Sequence, residues 1–433
     1  MNENSNIFIN KKILIYGLGK SGISAFKFLK RKNDVYLFDD SKSKINNLLI
    51  KKKFIHLKKL ISLNFDLIII SPGIDKNNCK LSDFLANRKK IIYTDLDIFY
   101  SFYKNDSITI TGTNGKSTTC KLLYEVLKKQ KYDVKLVGNI GYPILSTTNI
   151  SKKSLFIIEA SSYQLDYSRI FSSKYAAILN ISPDHLERHK TLNNYISAKF
   201  NLIKNQKKGS TAFLNKNDLF IQKQIKKRVY KSNIVKVDTN LINKLSSKIK
   251  NDYFLSNSNK ENLCFIFEIA KKLKIKNQII FDTLKRFKGL KYRQQKIYQN
   301  KNITIFNDSK STSYSSSIEM LKSKNSIYWL LGGIPKKGDK FILAKKYHKN
   351  ITAFIFGKNS KKFSYDLKNK ISFKKFKNLK NAIRAVIFKI KKNKPGSKTI
   401  LFSPAAASFD SFKNFEERGS YFDKLIKYYF NGK

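Results

Sequence analysis

Short, nearly uninterrupted apolar runs recur along the chain: Lys12–Tyr16, Asp34–Phe38, Phe65–Ile70, Ser107–Ile110, Asp133–Val137, Leu155–Glu159 and Ala176–Asn180. Runs of this length without polar alternation predict strands covered on both faces, as in parallel sheets. Between them, Ser21–Arg31, the stretch from Thr119 to Lys129, Glu261–Leu273 and Phe281–Lys288 read as crossover helices. From Asn302 the alternation begins again, with strands expected at Thr304–Asn307, Ser326–Leu331, Thr352–Phe356 and Thr399–Phe402. The lysine-rich stretch 203–250 shows no clear period, and Gly289–Gln295 reads as a junction. The fold class is α/β, in three units at 1–96, 97–296 and 297–433. No fixed-period repeat and no Pro- or Ser-rich linker separates them.

Composition narrows the picture. The chain has 433 residues, 41% of them hydrophobic, which is enough for several cores and too apolar for disorder. No apolar run reaches the ~20 residues of a membrane span, and Met1–Lys12 is too polar for a secretory signal, so no membrane anchor is expected. Cys79, Cys120 and Cys264 lack metal-ligand spacing, and a reducing cytoplasm is the expected compartment. The formal net charge is +57. A nucleic-acid or acidic-membrane binder would account for it directly. However, 78 of the 87 basic residues are lysine, scattered through every segment beside abundant Asn, Ile, Phe and Tyr. That set matches A+T-rich codons, whereas phosphate and guanine readout favours arginine forks. The charge therefore reads mainly as coding background, and no specific nucleic-acid partner is expected.

The strongest chemical signal is Gly112-Thr113-Asn114-Gly115-Lys116-Ser117-Thr118, placed where a strand turns into a helix. Backbone N–H groups there can face phosphates, Lys116 can neutralise them, and the Ser117 hydroxyl can ligate Mg²⁺. Ile110 stands where the standard Walker pattern has its first glycine. A second glycine loop, Gly17–Gly22, also follows a strand, with Asp39 at the ribose position of a dinucleotide fold. By itself it fits a nicotinamide, a flavin or another nucleotide diphosphate. Glu159, and the run Asn180–His189 containing His185, follow strand ends where they could reach a metal over the phosphate loop. Lys199 is one lysine among many, and sequence chemistry does not select it. In the third unit, Asn307–Thr312, Leu330–Gly333 with Lys336-Lys337, and Ser403–Phe415 end three strands and are expected to line one cleft.

Taken together and in order, these segments resemble the Mur ligases of bacterial cell-wall synthesis. The resemblance rests on GLGKSG (17–22), SPGI (71–74), ITGTNGKST (110–118), GNIG (138–141), EASSYQL (159–165), NISPDHLERH (180–189), NDSKST (307–312) and LLGG (330–333). SPAAASFDSFKNFEERG (403–419) is similar to the members that add D-glutamate. The Asp-Asn-Pro-Arg segment expected of the diamino-acid-adding sister enzymes is absent. The resemblance implies an N-terminal Rossmann-like UDP-binding domain, a central P-loop-type ATPase domain and a C-terminal Rossmann-like domain. It replaces the nicotinamide reading of Gly17–Gly22 with UDP. It also implies an ATP-dependent amide ligase, with UDP-N-acetylmuramoyl-L-alanine, D-glutamate and ATP as substrates and two Mg²⁺ sites. A monomeric state is expected.

By the same resemblance, Gly112–Thr118 with Asn262, Arg293 and Asp308 would bind ATP. Ser117 and Glu159 would hold the first Mg²⁺, and His185 with a carbamylated Lys199 the second. Ser21, Ser71, Asn139 and Ser161 would contact the UDP-sugar. Lys310, Thr312, Lys337, Ser408 and Phe415 would hold D-glutamate, leaving Lys116, Lys199, His185 and Lys310 as the catalytic set. The sequence departs from the pattern at Tyr292 and Ser258, where histidines are usual, and lacks the acid expected after Gly333.

Overall fold

In a computed structural model, residues 6–41, 48–241, 249, 251–254, 256–336, 338–392 and 396–431 are described. Three sheets follow one another along the chain. The first comprises β1 (Lys12–Tyr16), β2 (Asp34–Phe38), β3 (Leu67–Ile70) and β4 (Ile92–Tyr93), all parallel, in the order β2-β1-β3-β4. Alternate residues of β1 enter two different cores, Ile13 and Ile15 one, Leu14 and Tyr16 the other. That two-sided burial is why these strands read as continuous apolar runs.

The second sheet holds β5 (Ser107–Thr111), β6 (Val134–Gly138), β7 (Leu155–Glu159), β8 (Tyr175–Ile178), β9 (Thr211–Asn215) and β10 (Asn233–Val237). All are parallel, in the order β10-β9-β8-β5-β7-β6. The chain leaves β5 toward one side and later returns to its other side with β8. The crevice beyond the C-terminal end of β5 is therefore a topological switch point, where open parallel sheets take ligands. The stretch 203–250 that lacked a legible period supplies β9 and β10, and β9 is buried throughout.

The third sheet is mixed. β11 (Gln295–Gln299) pairs antiparallel with β12 (Ile303–Asn307), and β13 (Ile327–Leu331), β14 (Ile351–Phe356), β15 (Ser372–Phe376) and β16 (Lys398–Phe402) are parallel, in the order β11-β12-β16-β13-β14-β15. The Gly289–Gln295 junction thus runs directly into an edge strand. The helix expected at Phe281–Lys288 lies at Asn277–Arg286.

By internal contacts the chain forms two compact units, Met1–Lys248 with Glu261–Leu284, and Ile249–Lys260 with Lys285–Lys433. The first two sheets share the first unit and one continuous apolar core, in which Leu96, Ile98 and Phe99 join residues of both. Asp97, fully buried, fastens that joint. Its Oδ2 accepts from the Thr94 backbone N–H and hydroxyl, and its Oδ1 from Ser168 Oγ and the N–H groups of Arg169, Ile170 and Phe171. The third sheet, apolar on both faces, is the centre of the second unit.

Candidate active site

In the first unit, β5 ends at Thr111 and the helix Lys116–Lys129 begins after four intervening residues. Gly115 adopts φ +83°, and a Cβ there would lie 2.2 Å from Asn262 Oδ1, so both conformation and space require glycine. The same contact places Asn262 on the phosphate loop. The loop is anchored from the next strand end. Thr113 N–H donates to Asn180 O (2.9 Å), Asn114 N–H to Asn180 Oδ1 (2.8 Å), and the Thr113 hydroxyl lies 3.1 Å from Tyr195 Oη. Lys116 folds over its own loop, donating to Gly112 O (2.7 Å) and Thr113 O (2.8 Å).

Ser117 and Glu159 are both buried, and the Ser117 hydroxyl donates to Glu159 Oε2 at 2.6 Å. A hydroxyl oxygen and a carboxylate are hard donors that suit Mg²⁺, whose remaining positions are ordinarily filled by water and phosphate. Lys199, on the helix Leu192–Lys204, is 1% exposed and donates from Nζ to Gly112 O at 2.9 Å. Burial first, then the charge of Lys116, pushes its pKa well below the ordinary lysine value, while Asp184 and Glu159 act in the opposite direction. An ammonium cannot ligate a metal, but a neutral amine can take up CO₂ and become an anionic oxygen donor. His185 has left-handed backbone (φ 56°) and stands between carboxylates, with Nε2 3.4 Å from Asp184 Oδ2 and Nδ1 3.5 Å from Glu187 Oε1. Among the described residues no cluster of three His, Cys, Asp or Glu forms a metal site. The Ser117–Glu159 pair is the donor set the hydrogen bonds bring together, and Lys199 fits a metal only once it is carbamylated.

The glycine loop of the first sheet packs tightly. A Cβ on Gly22 would sit 1.9 Å from Gly17 O, and Ser71 Oγ donates to that same carbonyl (2.6 Å). Asp39 accepts from Leu18 N–H (2.6 Å) and Ser41 N–H (2.9 Å), so backbone groups occupy both its oxygens. Asp95 accepts from Gln164 Nε2 (3.3 Å), and Gln164 Oε1 accepts from Ser161 N–H (3.1 Å). Asp95 and Gln164, to which the sequence alone gives no role, thus form one hydrogen-bonded chain with Ser161. Asp95 is buried, which raises its pKa, with Gln164 and Ser21 opposing. Asn139, exposed, follows β6 and donates from its N–H to Glu159 O (3.1 Å). Arg188 lies inside the 180–189 run. Its guanidinium donates to the carbonyls of Pro72 (2.8 Å) and Ile74 and rests 4.2 Å from the Tyr163 ring centroid, tying the 71–74 loop to the His185 segment.

In the second unit, Asp308 follows β12 and is buried. It accepts from Ser403 Oγ (2.8 Å) and Gln294 N–H (3.0 Å), and burial pushes its pKa up to about 7 against the pull of Arg293 and Arg418. Lys310 donates from its N–H to Tyr292 O (2.9 Å), a backbone service that does not need the usual histidine. Lys310 Nζ lies 3.9 Å from the Phe415 ring centroid, a cation–π contact. Thr312 is half-buried in the same loop, and Ser408 is buried, its carbonyl accepting from Ser411 and Phe412 N–H. Lys337 lies outside the described residues. Lys310 and Phe415 thus meet, and Asp308, Thr312 and Ser408 lie in the segments that follow β12 and β16.

Comparison with known proteins gives the family. Residues 11–93 match the model of the Mur ligase MurD-like N-terminal domain, and residues 110–282 that of the Mur ligase middle domain. The UDP-N-acetylmuramoylalanine–D-glutamate ligase of Rickettsia felis is 33% identical over 98% of this chain and 98% of its own. The enzyme of that name from Buchnera aphidicola subsp. Schizaphis graminum is 36% identical over 97% of this chain and 98% of its own. A crystal structure of MurF ligase from Thermotoga maritima in complex with ADP superposes with a TM-score of 0.56 at 14% identity, covering 98% of this chain and 99% of that one, which speaks to the fold alone. With its three α/β domains, the chain belongs to the Mur ligase family.

Proposed function

We propose that this protein adds D-glutamate to UDP-N-acetylmuramoyl-L-alanine, using ATP, in the synthesis of peptidoglycan precursors. Relatives named for that reaction match nearly the whole chain. The observation that carries the chemistry is the phosphate loop, where Lys116 and the buried Lys199 both donate to Gly112 O and Ser117 donates to Glu159. Domains divide at 1–96, 97–296 and 297–433, for UDP, ATP and D-glutamate respectively.

Glycine-loop residues 112–118 cradle the ATP phosphates, and Lys116 leaves its own carbonyls to neutralise charge on the transferring group. The carboxylate oxygen of UDP-N-acetylmuramoyl-L-alanine attacks the γ-phosphorus, ADP departs and an acyl phosphate forms. The D-glutamate amine then attacks the acyl carbon, loses a proton, and phosphate leaves as the amide bond closes. Ser117 and Glu159 would hold one Mg²⁺, and His185 with carbamylated Lys199 a second. Bound there, these ions neutralise phosphate and developing oxyanion charge. Carbamylation joins the neutral Lys199 Nζ to the carbon of CO₂ and releases one proton. Asn262, Arg293 and Asp308 bind the rest of ATP. Ser21, Ser71, Asn139 and Ser161 orient the UDP-sugar, while Lys310, Thr312, Lys337, Ser408 and Phe415 hold D-glutamate. The protein works as a monomer in the cytoplasm without a membrane anchor; no helix among the described residues is long and apolar enough to cross a membrane.

The test is product identity. Incubation with ATP, Mg²⁺ and UDP-N-acetylmuramoyl-L-alanine should give, by mass spectrometry, the substrate plus one dehydrated glutamate with the D isomer and not with the L isomer. Equal product from both isomers, or from a diamino acid instead, would reject the assignment.

A further inference from the structure

Arg418 is a buried cation in the second unit, 1% exposed, on the first turn of the helix Phe415–Ile426. Its partners within hydrogen-bond distance are neutral. Nε donates to Ser309 Oγ (3.1 Å), Nη2 to Ser309 O (2.7 Å) and Ala406 O (3.0 Å), and Nη1 to Gly332 O (3.5 Å). Burial draws its pKa down to about 10, while Asp410 and Asp308 oppose that shift from a distance. A desolvated guanidinium without a directly bound carboxylate is costly, so its retention calls for a geometric reason.

The three carbonyls supply that reason. Ser309, Gly332 and Ala406 follow β12, β13 and β16, three neighbouring strands of the third sheet. One planar fork therefore fixes three strand-end loops relative to one another. A lysine ammonium, a single point on a flexible stem, could not span them. Ser309 extends the network, since its hydroxyl also donates to Phe415 O at 2.9 Å. Arg418 thus reaches both members of the Lys310–Phe415 pair, the first through the adjacent Ser309 and the second through the Ser309 hydroxyl and the helix turn they share.

We infer that Arg418 is a positioning residue for the amino-acid side of the reaction, setting the separation of Lys310 and Phe415 through Ser309. The inference rests on the D-glutamate reading above and goes beyond it by assigning the device that aligns that subsite.

Arg418→Lys and Ser309→Ala separate this from plain stability. The first keeps the charge and loses the fork; the second keeps Arg418 and breaks the hydroxyl link. Each is expected to raise KM for D-glutamate about tenfold or more, with KM for UDP-N-acetylmuramoyl-L-alanine changed by less than about twofold. Arg418→Lys should show the larger shift, and should Arg418→Lys fail to fold, Ser309→Ala decides. A lower melting temperature with KM for D-glutamate unchanged, or an equal rise in KM for all substrates, overturns the proposal. Wild-type protein measured in the same series separates the two levels: if it needs no D-glutamate at all, the functional reading itself fails and takes this one with it.

Discussion

Replacing Lys116 by alanine is expected to reduce ATP-derived phosphate release by at least about a hundredfold while the protein melts within a few degrees of wild type. The loop is held by Asn180 and by the Thr113–Tyr195 contact, neither of which involves the lysine side chain. Lys116 Nζ donates to the carbonyls of Gly112 and Thr113 in its own loop. Those are contacts it can give up when a phosphate offers a full negative charge. Its removal withdraws a cation from the transferring phosphoryl group and leaves the strand–loop–helix scaffold in place. A variant with wild-type turnover would reject the phosphate-loop assignment.

The second large effect concerns Lys199. Lys199→Met is expected to lose activity to a similar extent, because it removes the only group that can become a carbamate at that point. Stability should move the other way. The folded-state pKa of Lys199 is lowered well below 10.5, so between those two values the unfolded chain binds the proton that the folded chain releases. Unfolding free energy therefore rises with pH through that window, and the penalty of the buried charge is greatest on its acidic side. In CO₂-depleted buffer, wild type should gain melting temperature as pH increases toward 10, and Lys199→Met should lack that gain. Adding bicarbonate with Mg²⁺ at pH 8 should raise the melting temperature of wild type but not of the variant. Equal bicarbonate responses in both would sink the carbamate. A fully active Lys199→Met would remove the residue from the mechanism.

Much of the fold was legible because parallel strands advertise themselves. Lys12–Tyr16, Leu155–Glu159 and Thr399–Phe402 are apolar on both faces, and each is followed by a polar loop at the ligand edge. What escaped notice was what depends on context. β9 reads TAFLN, too mixed in composition to stand out among lysines, and becomes a buried strand only between β8 and β10. β11 is a half-exposed antiparallel edge without an apolar run. Among functional groups, the glycine-rich loops and the carboxylates at strand ends were visible, since their chemistry is local. Asp95, Gln164, Arg188 and Arg418 were not, because each works through partners 12 to 116 residues away. The capping Ser161-x-x-Gln164 pair was the one local signal. Lys199 was the hardest case. Its distinction is burial beside Gly112, which composition conceals among 78 lysines.

The +57 charge, the loudest feature of the composition, is not what organises the site. Lys116, Lys199 and Arg418 are singled out by their hydrogen-bond partners, and Lys310 by its contact with Phe415. A positive background still favours capture of anionic substrates, all three of which are negatively charged.

The most direct test of the account is substrate-dependent phosphate release from ATP. The account predicts release only when UDP-N-acetylmuramoyl-L-alanine and D-glutamate are both present, with no stimulation by DNA or RNA. Release driven by nucleic acid and indifferent to those two substrates would contradict it.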